Sequence, residues 1–379
     1  MAQSAPLSVP RKLLGDLVRN LDSQRRPVTR SDRSEGLYPY YGANGIQDYV
    51  EDYIFDGTFL LVGEDGSVME KDRSPILNWV SGKIWVNNHA HILEMKSKDL
   101  ELRFLFHFLR TVDISSYVTG GTQLKLNQGR MNQIPVPVPP LDVQHEIVRI
   151  LDNFTELEAS LEAELEARRA QYEHYRLALV SFPRTTRRVF LEEIVFFINA
   201  KAHERFVDPA GDVALLTARF VSTQGRSARF VNSKDVLTPA LRHDVALVMS
   251  DLPNGRALAR AFFVPEVGKY AANQRVCLLR VKDERVVLPR FLYYLIDRNK
   301  QLLAYDSGVD QTHLKKSYIL EVQLALPELA EQIRITSILD AFDALVNDLS
   351  VGLPAELAAR RKQYEYYRDR LLTFDELPA

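Results

Sequence analysis

The chain of 379 residues has a single cysteine, Cys277, so it cannot close an internal disulfide, and a reducing cytoplasm is the expectation. No apolar run reaches the roughly 20 residues that cross a bilayer, and the N-terminal stretch lacks a signal-peptide core; no membrane partner is expected. No glycine-rich loop ends in Lys-Ser/Thr to cradle ATP phosphates, no GxGxxG opens a helix, and no Gly-x-Ser-x-Gly elbow occurs. An amino-methyltransferase would carry Asn/Asp-Pro-Pro-aromatic, but the nearest string, Asp251-Leu252-Pro253-Asn254, lacks the second proline and the aromatic. His89 and His91 alternate with no cysteine or carboxylate pattern beside them, which argues against zinc. Cys277, within Arg275-Val276-Cys277-Leu278-Leu279, reads as a small buried strand residue. Together these absences point away from catalysis and toward binding, with no metal or cofactor expected on this chain.

What the chain does have is a second copy of itself. Gln144, Ile147, Ile150-Leu151-Asp152 and Phe154 recur as Gln332, Ile335, Ile338-Leu339-Asp340 and Phe342. Arg168-Arg169, Gln171-Tyr172-Glu173, Tyr175-Arg176 and Phe182 return as Arg360-Arg361, Gln363-Tyr364-Glu365, Tyr367-Arg368 and Phe374. Upstream, Tyr117, Gly120, Gln123 and Leu126 match Tyr305, Gly308, Gln311 and Leu314. A duplication of this kind predicts two similar units related by a pseudo-two-fold axis. Between these anchors the halves scarcely match, as expected of two readers of different sequences on one scaffold.

Charge follows the same division. The net charge of -2 hides segment charges of 0 for residues 1–140, -5 for 141–182, +6 for 183–328 and -3 for 329–379. Acid is concentrated in the two repeated tails, both of which read as long helices. Apolar or aromatic residues fall in steps of three and four from Ile147 through Leu161 and Tyr172 to Leu179, flanked by glutamates, after a Pro139-Pro140 start signal. About forty residues at roughly 1.5 Å each would make a rod of about 60 Å. The second tail repeats the seam with a four-residue excess near Val351–Pro354, where Gly352 and Pro354 predict a kink or short break. If the excess lengthened the rod, it would add about 6 Å. The two tails are expected to pack on each other.

The globular halves read as mixed α and β. Tyr53–Phe55, Phe59–Val62, Lys83–Val86 and Ala90–Met95 suggest strands, Glu64-Asp65-Gly66 a hairpin turn, and Leu102 to Leu109 a helix. Val245–Met249, Val276–Val281 and the helical spacing of Phe291, Leu292, Leu295 and Ile296 answer them in the second half. Loops rich in amides, cations and aromatics lie between. In the first half the candidates for nucleic-acid contact are Tyr41, Asn44, Asn87, Asn88, His89, Gln123 and Lys125. In the second they are Lys201, His203, Asn254, Arg256, Asn273, Gln274, Arg275, Gln311 and Lys315. Arginine pairs bidentately with guanine, Asn and Gln with adenine, and Lys holds phosphate. Arg256, Arg275 and Lys125 lead this set, although loops of this composition also serve simply to turn the chain.

Tyr40-Tyr41-Gly42-Ala43-Asn44-Gly45-Ile46 followed by Tyr53-Ile54-Phe55-Asp56-Gly57, then Gly63-Glu64-Asp65-Gly66 and Trp85 to His91, resembles the first target-recognition domain of type I restriction-modification specificity subunits. Ile134-Pro135-Val136-Pro137 before Leu141–Asp152, answered at Leu329–Asp340, resembles that family's entry into its spacer helices. Lys201-Ala202-His203-Glu204 and Met249 to Arg256 resemble one class of its second recognition domain. The resemblance implies an α+β fold. Recognition domains at 1–140 and 183–328 would be separated by antiparallel coiled-coil helices at 141–182 and 329–379. It also implies a non-catalytic subunit that reads a bipartite, asymmetric site in double-stranded DNA. Two methyltransferase subunits would carry S-adenosylmethionine and methylate an adenine N6 in each half-site, and translocase-nuclease subunits would bring ATP and Mg. Alternatives are the specificity module of a related single-chain restriction-methylation enzyme, a free-standing DNA-binding regulator, or a scaffold.

Overall fold

The structure, a computed structural model, describes residues 8–121, 123–252, 257–306, 308–348 and 350–376. It divides into two units, residues 1–163 with 356–379 and residues 164–355. The helix Leu141–Leu179 thus contributes its first part to one unit and its remainder to the other. No described helix is long and apolar enough to cross a membrane.

In the first unit a six-stranded sheet runs in the order Val18–Asn20, Ala90–Met95, Phe55–Gly63, Leu77–Val86, Glu35–Gly42 and Gly45–Val50. Its first four strands pair antiparallel throughout. The helix Leu102–Leu109 buries Phe104, Leu105, Phe108 and Leu109 in a core that also holds Leu60, Leu93, Ile147 and Leu151. In the second unit Val195–Asn199, Val276–Val281, Val245–Val248 and Ala261–Phe263 form a four-stranded antiparallel sheet. The helix Pro289–Ile296 covers it, with proline at its first position, where a missing N–H costs no hydrogen bond. The duplicated framework is therefore four antiparallel strands and one covering helix. The additions differ: a hairpin joined to the same sheet in one unit, and in the other a separate sheet of Phe230–Val231, Val213–Leu216 and Tyr270–Ala272.

The repeated residues are the fastenings of this framework. Gln144 is fully buried; its amide donates to the Asp99 and Pro139 carbonyls at 2.7 Å and accepts from Glu101 N–H at 2.8 Å. Gln332 does the same, donating to Val286 and Pro327 carbonyls and accepting from Leu288 N–H. Asp152 binds Arg103 and His107, and Asp340 binds Arg290 and Tyr294. Each pair ties a tail helix to the helix that covers its sheet.

The two tails behave differently along their length. In the first unit the last helix, Leu353–Leu371, runs antiparallel to the start of the central helix. Phe154 stacks on Tyr367 at 5.5 Å and meets Tyr364, while Arg361 reaches Glu158 at 2.6 Å and also Glu162. In the second unit Tyr175 meets Phe342 of the helix Leu329–Asn347 at 5.7 Å. The anticipated break is present: helix ends at Asn347 and resumes at Leu353. A Cβ on Gly352 would stand 2.3 Å from the Ala344 carbonyl oxygen, so glycine is needed for this return. The four-residue excess thus coincides with a tight connection between helices. The central helix ends at Leu179, three residues before the expected 182, leaving Phe182 to meet Phe291.

Several strand expectations need correction. Tyr53–Phe55 and Phe59–Val62 are not separate: one strand, Phe55–Gly63, pairs continuously with Leu77–Val86 through the small polar stretch Asp56–Thr58. Glu64-Asp65-Gly66 is no hairpin turn, because Asp65–Gly66 pairs with Leu124–Lys125. The stretch around Tyr41 and Asn44, counted above among the loops, is a hairpin whose strands meet at Gly42 and Gly45. Gly45 has φ +94°, a conformation that favours glycine. Cys277 is buried on its strand as expected, and burial pushes its thiol above the ordinary range.

Candidate nucleic-acid interface

Three stretches distant in sequence converge at one edge of the first unit. Tyr41 pairs in register with Val86, and Asn87 N–H donates to the Tyr41 carbonyl at 3.0 Å. Asn87 is buried; its Oδ1 accepts from His89 N–H at 2.8 Å and its Nδ2 donates to Gln47 at 3.2 Å. Its side chain holds the turn, which leaves the exposed Asn44 and Asn88 to present amides; neither has a side-chain hydrogen bond among the described residues. Gln123 Nε2 donates to Asp65 at 2.8 Å, and His89 Nδ1 lies 3.4 Å from the same carboxylate. Lys125 is exposed, 3.5 Å from Glu64. Burial, with the neighbouring Tyr49, raises the Tyr41 phenol above its ordinary range, so it stays a neutral hydroxyl.

Behind this edge lies a charge network that sequence spacing does not reveal. Asp22 and Glu64 come to His91, contrary to the expectation of histidines without carboxylates nearby. His91 faces Asp22 at 2.5 Å through Nδ1 and the Leu126 carbonyl at 2.7 Å through Nε2. Arg25 spans the two acids, 2.5 Å from Glu64 and 3.4 Å from Asp22. Burial would raise the Asp22 carboxyl, yet His91, the Ile92 amide and Arg25 hold it below the usual range. Both ring nitrogens of His91 and both carboxylates are engaged by the protein, and a metal ion would have to displace Arg25. The network fastens the Glu64–Gly66 segment on which Gln123, Lys125 and His89 converge.

In the second unit His203 is buried, its Nε2 accepting from Leu237 N–H at 2.9 Å; burial lowers its pKa, which keeps that lone pair free of a proton. Asn273 is buried too, accepting from His203 N–H and donating to Glu204 at 2.8 Å. These two hold loops in place. Lys201, Gln274 and Arg275 are exposed beside them, and Gln274 Nε2 lies 3.3 Å from Glu204. Gln311 donates to Ser250 at 3.0 Å, where Ser250–Asp251 pairs with Thr312–His313. This is the counterpart of Gln123 on Asp65. Lys315 is exposed, its ammonium 5.5 Å from the Tyr318 ring. Asn254 and Arg256 lie outside the described residues. Arg219 and Arg229, which no sequence string singles out, line the same groove as Arg275. Isolated arginines on a short helix and a strand approach give no local signal.

The family model described as the type I restriction modification DNA specificity domain matches residues 11–167 and 244–359. A type I restriction enzyme specificity subunit of Haemophilus influenzae is 32% identical over 96% of this chain and 95% of its own length. The specificity subunit of the type I restriction enzymes EcoR124I and EcoR124II of Escherichia coli is 30% identical, covering 84% of this chain and 85% of that protein. The crystal structure of an S subunit from M. genitalium superposes with a TM-score of 0.64, at 14% identity, over 100% of this chain and 99% of that one, a likeness of fold. Two copies of a four-stranded framework, joined through a 39-residue helix and fastened by the same repeated glutamine and aspartate, are thus accounted for: the chain belongs to the type I restriction-modification specificity subunits.

Proposed function

We propose that this chain, whose family serves DNA sequence recognition in restriction-modification systems, reads a bipartite, asymmetric site in double-stranded DNA, one half with each unit. The observation that carries this reading is the contrast within the repeat. Framework and fastenings are duplicated, whereas the elements attached to them differ, a hairpin on one side and a separate three-stranded sheet on the other. Equivalent scaffolds with unlike tips suit a target whose halves differ in sequence. Asn44, Asn88, Gln274 and Arg275 have the donor and acceptor groups that base edges in the major groove demand, and Lys125 and Lys201 suit phosphates. The chain itself is read as non-catalytic and free of cofactors.

Chemistry belongs to partners in this reading. Two methyltransferase subunits dock on the tail helices and flip an adenine of each half-site for N6 methylation with their own S-adenosylmethionine. Translocase-nuclease subunits supply ATP- and Mg-dependent restriction. The complex works in the cytoplasm, where the chromosome is. Expression of the full chain with its methyltransferase subunit, followed by single-molecule mapping of methylated adenines, tests the proposal. A two-part motif with unlike halves around an unread spacer is expected. A continuous palindrome, or no sequence preference, would overturn it.

A further inference from the structure

The second unit carries a groove of about 680 Å³ with an unusual charge arrangement. It lies where two parallel strands, Val213–Leu216 and Tyr270–Ala272, end side by side. From the first the chain enters a short helix capped by Thr217, whose hydroxyl accepts from Phe220 N–H at 3.1 Å, and this presents Arg219. From the second it passes through Asn273 and Gln274 to Arg275. Arg229 stands at the approach to the third strand, its carbonyl fixed by Leu215 N–H at 2.8 Å. All three arginines are exposed and line the groove.

Several arginines of this unit are paired with acids, Arg260 with Asp297, Arg280 with Asp244, Arg285 with Asp283 and Arg290 with Asp340, whereas others, such as Arg205 and Arg242, have no ion pair among the described residues. Arg219, Arg229 and Arg275 form no side-chain hydrogen bond or ion pair among the described residues. Two acids share the groove, yet both are used by other donors. Asp251 accepts from Leu252 N–H at 2.9 Å and Ala257 N–H at 2.7 Å. Glu204 accepts from Asn273 and Gln274. The Arg229 charge helps hold the Glu204 carboxyl below its usual range without a hydrogen bond between them. Three guanidinium groups with unused donors around one concave surface favour a polyanion, and their forked donors match phosphate oxygens. Glu204 does something different: by holding the Gln274 amide nitrogen it fixes which way that side chain turns, leaving Oε1 as an aimed acceptor.

We propose that Arg219, Arg229 and Arg275 seat one phosphate strand of the half-site read by the second unit, and that Gln274, oriented by Glu204, reads a base within it. This rests on the DNA-reading function proposed above and assigns it to residues. Glu204 is a positioning residue; Gln274 makes the contact.

The test uses the full chain assembled with its methyltransferase subunit, a duplex carrying the mapped methylation site, and a scrambled duplex of equal length. Arg219→Ala combined with Arg229→Ala removes two phosphate contacts at about 0.9 of salt slope each. Between 50 and 200 mM salt, wild type should therefore lose about tenfold more affinity than the double variant, whose methylated motif stays the same. Gln274→Ala should instead lower discrimination at one base of one half-site by about 5- to 150-fold, at unchanged salt slope. Glu204→Gln should lower it less, since an amide still accepts from Gln274. Equal melting temperature and equal assembly confirm that the exposed arginines were not needed for folding. A double variant with wild-type affinity and salt slope overturns the phosphate assignment, and a Gln274→Ala complex with an unchanged motif overturns the base assignment. In both cases a wild-type complex that still methylates a two-part motif leaves the broader reading standing; a wild-type complex without sequence preference removes it.

Discussion

Asp340 accepts the Nε–H of Arg290 at 2.6 Å, and this contact joins the helix Leu329–Asn347 to the helix Pro289–Ile296 that covers the second sheet. Asp152 and Arg103 make the corresponding join in the first unit at 2.9 Å. In both units the arginine also lies over aromatic rings, Trp79 and Phe106 for Arg103, Phe263 and Tyr293 for Arg290. A flat cation between an acid and aromatic faces resists rotation about the helix axis. A recognition unit fastened this way keeps a fixed orientation on its tail helix.

Gln144→Ala and Gln332→Ala should each lower stability by about 1–3 kcal/mol, because each leaves a buried amide and two carbonyls without partners. Urea denaturation of the variants, with the wild-type chain alongside, measures the loss. A change below a few tenths would mean that water replaces the side chain.

His107 gives a pH dependence. Burial pushes its pKa down to about 4, even though Asp152, 2.7 Å from its Nε2, favours the charged ring. The unfolded chain, with histidine near 6.5, takes up the proton first as pH falls. Its contribution is therefore complete above about pH 6.5 and declines as pH drops toward 4, by about 3 kcal/mol in all. His107→Gln keeps a donor toward Asp152 and should flatten that part of the profile. Stability measured at intervals between pH 7 and 4 decides the matter, and parallel profiles for the two proteins would refute it.

Gly352→Ala places a methyl group against the Ala344 and Leu345 carbonyl oxygens, at 2.3 and 2.6 Å before relaxation. A loss of about 1–3 kcal/mol in thermal unfolding is expected. Because the residues here form a tight connection, deleting Val351–Pro354 should leave the length of the unread DNA spacer unchanged. A spacer shortened by two base pairs in the methylation map would show that this segment does set the distance.

Asn88→Ala should relax one base position in the half-site read by the first unit alone, at a cost of about 1–3 kcal/mol, and Arg256→Ala one position in the other half. Methylation mapping separates these outcomes. Uniform weakening across all sequences would mark either side chain as a phosphate contact.

The sequence alone determined the duplication, the tail helices with their break near Gly352, the buried setting of Cys277 and the membership of the family. Each rests on local periodicity, on proline and glycine punctuation, or on residues repeated at a constant offset, and these survive without knowledge of what touches what. Only the tertiary structure decided why Gln144 and Asp152 recur, because their partners, such as Asp99 and Arg103, lie far away in sequence. It likewise merged Tyr53–Val62 into the strand Phe55–Gly63 and turned Tyr38–Gly45 into a hairpin, since strand limits depend on a neighbour's backbone groups. Candidate contact residues were the least legible. Asn87, His203 and Asn273 have the same side-chain chemistry as surface readers, yet buried hydrogen bonds use it up within the protein, whereas Asn44, Asn88 and Arg275 are left facing solvent. Residue type states which hydrogen bonds a side chain can make; burial decides whether any remain for DNA.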